Sequence, residues 1–172
     1  VGGRRAVIER GLVGEQQAQA SIEQPAFDGR EIALTQKSAE LMKALGPGER
    51  IDASAIAPLR DAKVMDGPST YAMVIGHELG KRTELGWLVS NHLIRQAAVD
   101  SMQQAQKDHG DITLLTGVKV TDVRSDADGG TVTLEDGQVL RARLIVAADS
   151  RFSTTRRMMG ISAHMHDFGK NM

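Results

Sequence analysis

The sequence predicts an α/β protein in which two amphipathic helices interleave with short strands and a β-meander follows. Three observations carry this prediction. Apolar residues recur at helical spacing over 33–45 and again over 91–107. From residue 112 the period changes to alternation, with a hairpin signal at Glu135-Asp136-Gly137. The run Leu144–Ala148 is continuously apolar, the pattern of a strand covered on both faces.

Taken in order, RAVIE (Arg5 to Glu9) is a short apolar strand preceded by Gly2 and Gly3. Residues 11–29 are rich in Gly, Gln and Pro without a period, so a surface excursion is expected there. In ALTQKSAELMKAL the residues Leu34, Ser38, Leu41, Met42 and Leu45 fall on one helical face, and Gly46-Pro47-Gly48 stops the helix. Strand-like pieces follow at 63–65, 71–75 and 87–89, broken by Asp66-Gly67-Pro68 and Gly86. The second helix begins at Ser90 or Asn91 as N-cap and turns Leu93, Ala97, Met102 and Ala105 inward. In ITLLTGVKVTDVRSD the valines Val118, Val120 and Val123 lie on or near one face. The last elements are the strand 144–148 and one or two helical turns ended by Gly160.

Composition narrows the function classes. With 172 residues, 41% hydrophobic and 25% charged, the chain suits one domain, or one domain with an insertion. A net charge of −1 gives no electrostatic case for nucleic acid, and one Trp, one Tyr and three Phe make no base-stacking surface. The absence of cysteine removes disulfides, thiolate metal sites and thiol catalysis. No apolar run reaches the roughly 20 residues of a membrane span. VGGRRAVIER lacks the form of a signal peptide, so a cytoplasmic protein is the expectation.

Two acids stand out because each ends an apolar run. At the end of a strand in a doubly wound sheet, a carboxylate such as Glu9 accepts hydrogen bonds from a ribose; it is equally the sort of acid that ends a solvated strand. Asp149 either faces a ligand or caps the short helix that follows it. His77 and His92 read as exposed or satisfied histidines. His164 and His166 have the spacing of a metal pair but no evident third ligand, so no metal site is expected. Met158, Met159 and Met165 read as adaptable packing.

AADSRFSTTRR resembles the second flavin motif of the class A FAD-dependent aromatic hydroxylases: an apolar strand, Asp-Gly, two variable residues, Ser, two variable residues, Arg. Upstream, FDGREIALTQKSAELMKALG resembles the segment where an arginine leads into a helix beside the flavin. ELGWLVSNHLIRQAAVDSM resembles the helix that follows a substrate-domain ribbon. The branch containing the ubiquinone-biosynthesis hydroxylases is the best match, with the p-hydroxybenzoate hydroxylase type more distant, and the likeness runs from Arg5 to about Gly169.

The resemblance implies a portion of a Rossmann-like FAD-binding domain of glutathione-reductase type, with a β-meander and part of a substrate-domain β-ribbon. Residues 1–55 and 91–160 are assigned to the FAD-binding domain, 56–90 to the ribbon, and 161–172 to the start of the substrate domain. It implies FAD as cofactor, NADH or NADPH as reductant, and a small aromatic substrate hydroxylated with O2 through a flavin hydroperoxide. Other FAD-dependent oxidoreductases of the same fold (a reductase, halogenase or epoxidase) and an inactive fragment stay open. Carried over by position, Glu9 holds the adenosine ribose with Arg10 beside the adenine end, while Arg30 and Arg95 reach the pyrophosphate or ribityl chain. Val118 presents backbone groups to the adenine, Asp149 meets the ribityl chain, and Ser153 and Arg156 form the turn and help engage NAD(P)H. No catalytic side chain is assigned. The family's Asp-Gly is Asp149-Ser150 here, and the family's Gly-x-Gly-x-x-Gly loop is absent, so the chain reads as an internal portion that alone binds FAD weakly or not at all.

Overall fold

The computed structural model describes residues 5–9 (backbone only), 22–149, 152–167 and 169. The chain forms β1 (Arg5–Glu9), β2 (Glu31–Thr35), α1 (Gln36–Ala44), β3 (Ile56–Leu59), β4 (Asp61–Met65), β5 (Ala72–Gly76) and β6 (Gly86–Ser90). It continues with α2 (Asn91–His109), β7 (Ile112–Thr116), β8 (Val120–Asp126), β9 (Gly129–Leu134), β10 (Val139–Ala142) and α3 (Thr154–Met158). The α/β content is as expected from the sequence.

The described strands form four small sheets. β1 pairs in parallel with β7, placing Glu9 beside Thr116. β2, β6 and β3 form an antiparallel sheet with β6 central. Pro58, which has no N–H to donate, sits in edge strand β3, where a proline is tolerated. Gly86 opens β6 opposite Thr35, and a Cβ there would lie 2.1 Å from the Leu34 carbonyl oxygen, so only glycine permits this approach. β4 and β5 form a two-stranded ribbon, and β8, β9 and β10 form the meander.

The meander holds the best-packed core. Along β9 the side facing inward is fully buried at Gly130, Val132 and Leu134, in strict alternation. Val123, Val132 and Leu134 form the centre, with Val118, Val120, Leu140, Ile145, Met158 and Met159 packed around them. Burying Leu134 alone contributes about 1.5–3 kcal/mol. Val89 on β6 and Ala97 on α2 are also buried, and α2 packs on β6 and β7. One turn of the meander matches the sequence signal: Gly137, at φ +86°, closes the predicted hairpin.

Two expected elements differ. The helix expected over 33–45 begins only at Gln36, because Glu31–Thr35 is a strand whose Ile32 and Leu34 alternate opposite Val89 and Trp87. Thr35 then serves as N-cap, its Oγ1 accepting from the Ser38 N–H at 3.2 Å. Leu41 and Leu45, which share the predicted helical face, are exposed. The strand expected at 144–148 does not form: no described strand pairs with it, and Leu144 and Val146 are 77% and 78% exposed. Ile145 alone turns into the core, where its Cδ1 lies so close to Gly130 that a Cβ there would be 2.5 Å away. Continuous apolarity marks a strand only where a neighbour supplies the ladder.

Candidate functional site

The predicted residues fall into three groups, each built by a different local device. The first lies where β6 passes into α2. The β2–β6 ladder pairs Glu31 with Ser90 and continues one step further, since the Asn91 N–H donates to the Arg30 carbonyl at 2.9 Å. Segment 27–30 is thereby held against the start of α2.

Asp28 is the hub of this group. Its Oδ2 accepts from Arg30 Nε at 2.8 Å, from Arg30 Nη2 at 2.6 Å and from Asn91 Nδ2 at 2.7 Å. Its Oδ1 accepts from the Arg30 N–H at 3.1 Å. The Asn91 amide first, then the Arg30 side chain, lowers the Asp28 pKa from 3.8 to about 2. Beside it, the Phe27 ring meets His92 edge-on at 5.2 Å, and Ser90 Oγ lies 3.0 Å from His92 Nδ1. Ser90 thus precedes the helix without capping it through its side chain.

Arg30 leaves part of its donor fork turned outward, and its side chain is 68% exposed. Arg95 follows Asn91 by four residues, on the same face one turn further along α2, and is exposed. Arg30 is tied to Asn91 through Asp28, and Arg95 lies one helical turn beyond Asn91. Two exposed guanidinium groups near one helix start suit the oxygens of a phosphate diester, so the donor set fits a pyrophosphate-bearing cofactor.

The second group lies at the carboxyl end of the parallel pair. The two-residue turn at Gly110-Asp111 sends β7 back along α2. Glu9 and Thr116 end their strands side by side, and Gly117, at φ +69°, turns the chain into Val118. The Val118 side chain packs on the meander core. Of Glu9 only the backbone is described, and Arg10 lies outside the described residues.

The third group is the Asp149 turn. Asp149 Oδ2 accepts from the Thr155 N–H at 2.9 Å, and Ser153 Oγ accepts from the Arg156 N–H at 2.9 Å. Ser153 and Thr155 lower the Asp149 pKa from 3.8 to about 2. Arg156 donates from Nη1 to the Ile161 carbonyl, and Arg157 donates to Thr154 Oγ1 at 3.3 Å. Asp149 is thus a cap of α3, and Ser153 and Arg156 close the turn on both sides. Ser150 lies outside the described residues.

One residue of the first group escapes a motif search: Asp28, the partner of Asn91. The available signal was the spacing Asp-Gly-Arg, in which an aspartate accepts from the backbone two residues on. Among the described residues no cluster of His, Asp or Glu could hold a metal ion, and His77 Nδ1 approaches Asp61 at 3.6 Å without a hydrogen bond. No described helix is long and apolar enough to cross a membrane.

No family model matches the chain. It is 44% identical over 155 residues to a ubiquinone hydroxylase, UbiM, of Neisseria meningitidis, covering 88% of this chain and 33% of that protein. It is 31% identical over 144 residues to a ubiquinone hydroxylase, UbiL, of Rhodospirillum rubrum, covering 84% of this chain and 32% of that protein. The chain therefore spans about a third of the length of these relatives. Its fold matches that of the flavin-dependent monooxygenase PieE, solved with FAD and substrate, with a TM-score of 0.58 at 18% identity over 92% of this chain and 32% of that one.

Proposed function

We propose, from the premise that this chain is homologous to ubiquinone hydroxylases over most of its length, that it is part of an FAD- and NAD(P)H-dependent monooxygenase acting on a small aromatic, quinone-precursor ring. One observation carries the reading at the level of geometry: Asp28 and Asn91 hold Arg30 at the start of α2, one helical turn before the exposed Arg95.

In this reading residues 1–55 and 91–160 are portions of a Rossmann-like FAD-binding domain. Residues 56–90 include a ribbon of the substrate domain, and 161–172 begin its continuation. Arg30 and Arg95 hold the cofactor's pyrophosphate or ribityl oxygens, where fixed guanidinium forks suit divided negative charge. Glu9 accepts from the adenosine ribose at the end of β1, with Arg10 beside it, and Val118 borders the adenine. Asp149, ionised at neutral pH, accepts from the ribityl chain with whatever capacity its helix cap leaves, and Ser153 and Arg156 hold the turn where NAD(P)H engages. The flavin, when bound, supplies the redox and oxygen chemistry, and the protein binds, orients and excludes water.

The test is made on the full-length protein. A visible flavin band, together with NAD(P)H oxidation stimulated by a phenol, is the expected outcome. A flavin band without phenol stimulation would point to another FAD-dependent oxidoreductase of the same fold. A purified full-length protein that neither carries nor takes up FAD would overturn the reading altogether.

A further inference from the structure

Asp28 is unusual among the acids of this protein. An exposed carboxylate ordinarily keeps its hydrogen-bonding capacity in water, and an exposed ion pair is weakly held. Here one carboxylate takes four bonds, three from Arg30 and one from Asn91, a residue 63 positions away on another element. Arg30 is gripped by both its backbone and the Nε–Nη2 edge of its guanidinium. The fork is therefore locked in one plane, with its remaining edge turned outward.

We propose that Asp28 is a positioning residue, which fixes the Arg30 guanidinium and the first turn of α2 as one unit so that Arg30 meets the cofactor's phosphate oxygens already oriented. This rests on the FAD reading above and adds to it a residue that touches no cofactor itself. An arginine on a free stem must lose its rotamer freedom when it binds; one already pinned does not.

Charge argues the other way, which makes the idea testable. Asp28 places a negative charge beside the cation meant for a phosphate, so electrostatics alone predicts that its removal tightens FAD binding. The 2.6 Å between Asp28 and Arg30 is well inside the screening length of about 8 Å at physiological salt. The charge and the orientation effects therefore act together, and the sign of the change in affinity tells which is larger.

The experiment measures FAD affinity of the full-length apoprotein by quenching of flavin fluorescence, alongside its melting temperature without FAD. Asp28→Ala is expected to weaken FAD binding about three- to tenfold while the apoprotein melts only slightly lower, by the small share an exposed carboxylate contributes to stability. Asp28→Glu keeps the charge but is one methylene too long for the Arg30 N–H and Asn91 bonds, so it is expected to bind FAD nearly as weakly as Asp28→Ala. The double variant Asp28→Ala/Arg30→Ala is expected to bind no more weakly than Arg30→Ala alone.

Tighter binding by Asp28→Ala, or a Glu variant indistinguishable from the unaltered protein, would mean that Asp28 acts by charge and not by position. Additive losses in the double variant, with a steep fall in the apoprotein melting temperature, would make Asp28 a brace of the fold only. If Arg30→Ala weakens FAD binding and Asp28→Ala does not, the positioning role falls while the FAD reading stands. If the unaltered full-length protein does not quench flavin fluorescence, both fall together.

Discussion

Asp28 and Asp149 are both held at a pKa of about 2, yet they reach that value in opposite ways. Asp149 finds its donors within its own turn, at Ser153 and Thr155. Asp28 finds its chief donor at Asn91, across 63 residues, and that bond ties the approach to β2 to the start of α2. A depressed carboxylate therefore carries no single meaning. The local one finishes a helix; the long-range one joins two elements that the β2–β6 ladder has brought together. Only the second kind couples parts of the chain that are distant in sequence.

The two also lean on different supports. The Asp149 turn packs through Met158 and Met159 on Val123, Val132 and Leu134, whereas the Asp28 group rests on polar bonds and the edge contact of Phe27 with His92. The largest expected effect follows from this. Leu134→Ala should destabilise the full-length protein by about 2–5 kcal/mol in chemical denaturation, since Leu134 is 2% exposed and leaves a cavity under α3. In the protein that remains folded, amide exchange should quicken through 154–158 while the Asp28 carboxyl keeps its low pKa. Equal loosening of both regions would show that they are one cooperative unit, and the contrast would be lost.

The contrast also explains what was legible in the sequence. The meander, the hairpin at Gly137, the second helix and the Asp149 turn were readable because each depends on residues close together in the chain. The motif Asp149, Ser153, Arg156 is a cap-and-turn device, and local chemistry suffices to read it. What failed depended on distant partners. Residues 33–35 looked helical because Leu34 shares a helical face with Leu41; the ladder to β6 made them part of the strand 31–35. The run 144–148 looked like a buried strand, and with no described strand beside it the run stays unpaired. Arg30 was legible as a cation near a helix, but Asp28, which orients it, became visible only when β2 met β6.

A smaller effect tests the local side. Ser153→Ala removes the acceptor of the Arg156 N–H and leaves Thr155 on Asp149. The expected cost is about 1 kcal/mol, confined to α3, so hydrogen exchange of the Arg156 amide should rise ~5-fold with little change elsewhere. A comparable change at Arg30 or Asn91 would contradict the separation of the two regions.

The smallest effect is the sharpest. Asn91→Ala deletes the first cause of the low Asp28 pKa and leaves the Arg30 bonds in place, so the pKa should rise from about 2 toward 3.8 and stop short of it. Each acid's pKa is depressed in the folded state. Each therefore contributes stability that is fully present above about 3.8, the unfolded value, and is lost as pH falls through the folded value of about 2. In Asn91→Ala the Asp28 contribution should shrink and vanish at a higher pH, while that of Asp149 keeps its original window. A carboxyl-carbon NMR titration of the two side chains separates them directly. If Asp28 alone moves, the long-range bond is what distinguishes it from Asp149. If neither moves, Arg30 holds Asp28 without help, and the start of α2 is not tied to Arg30 through this carboxylate.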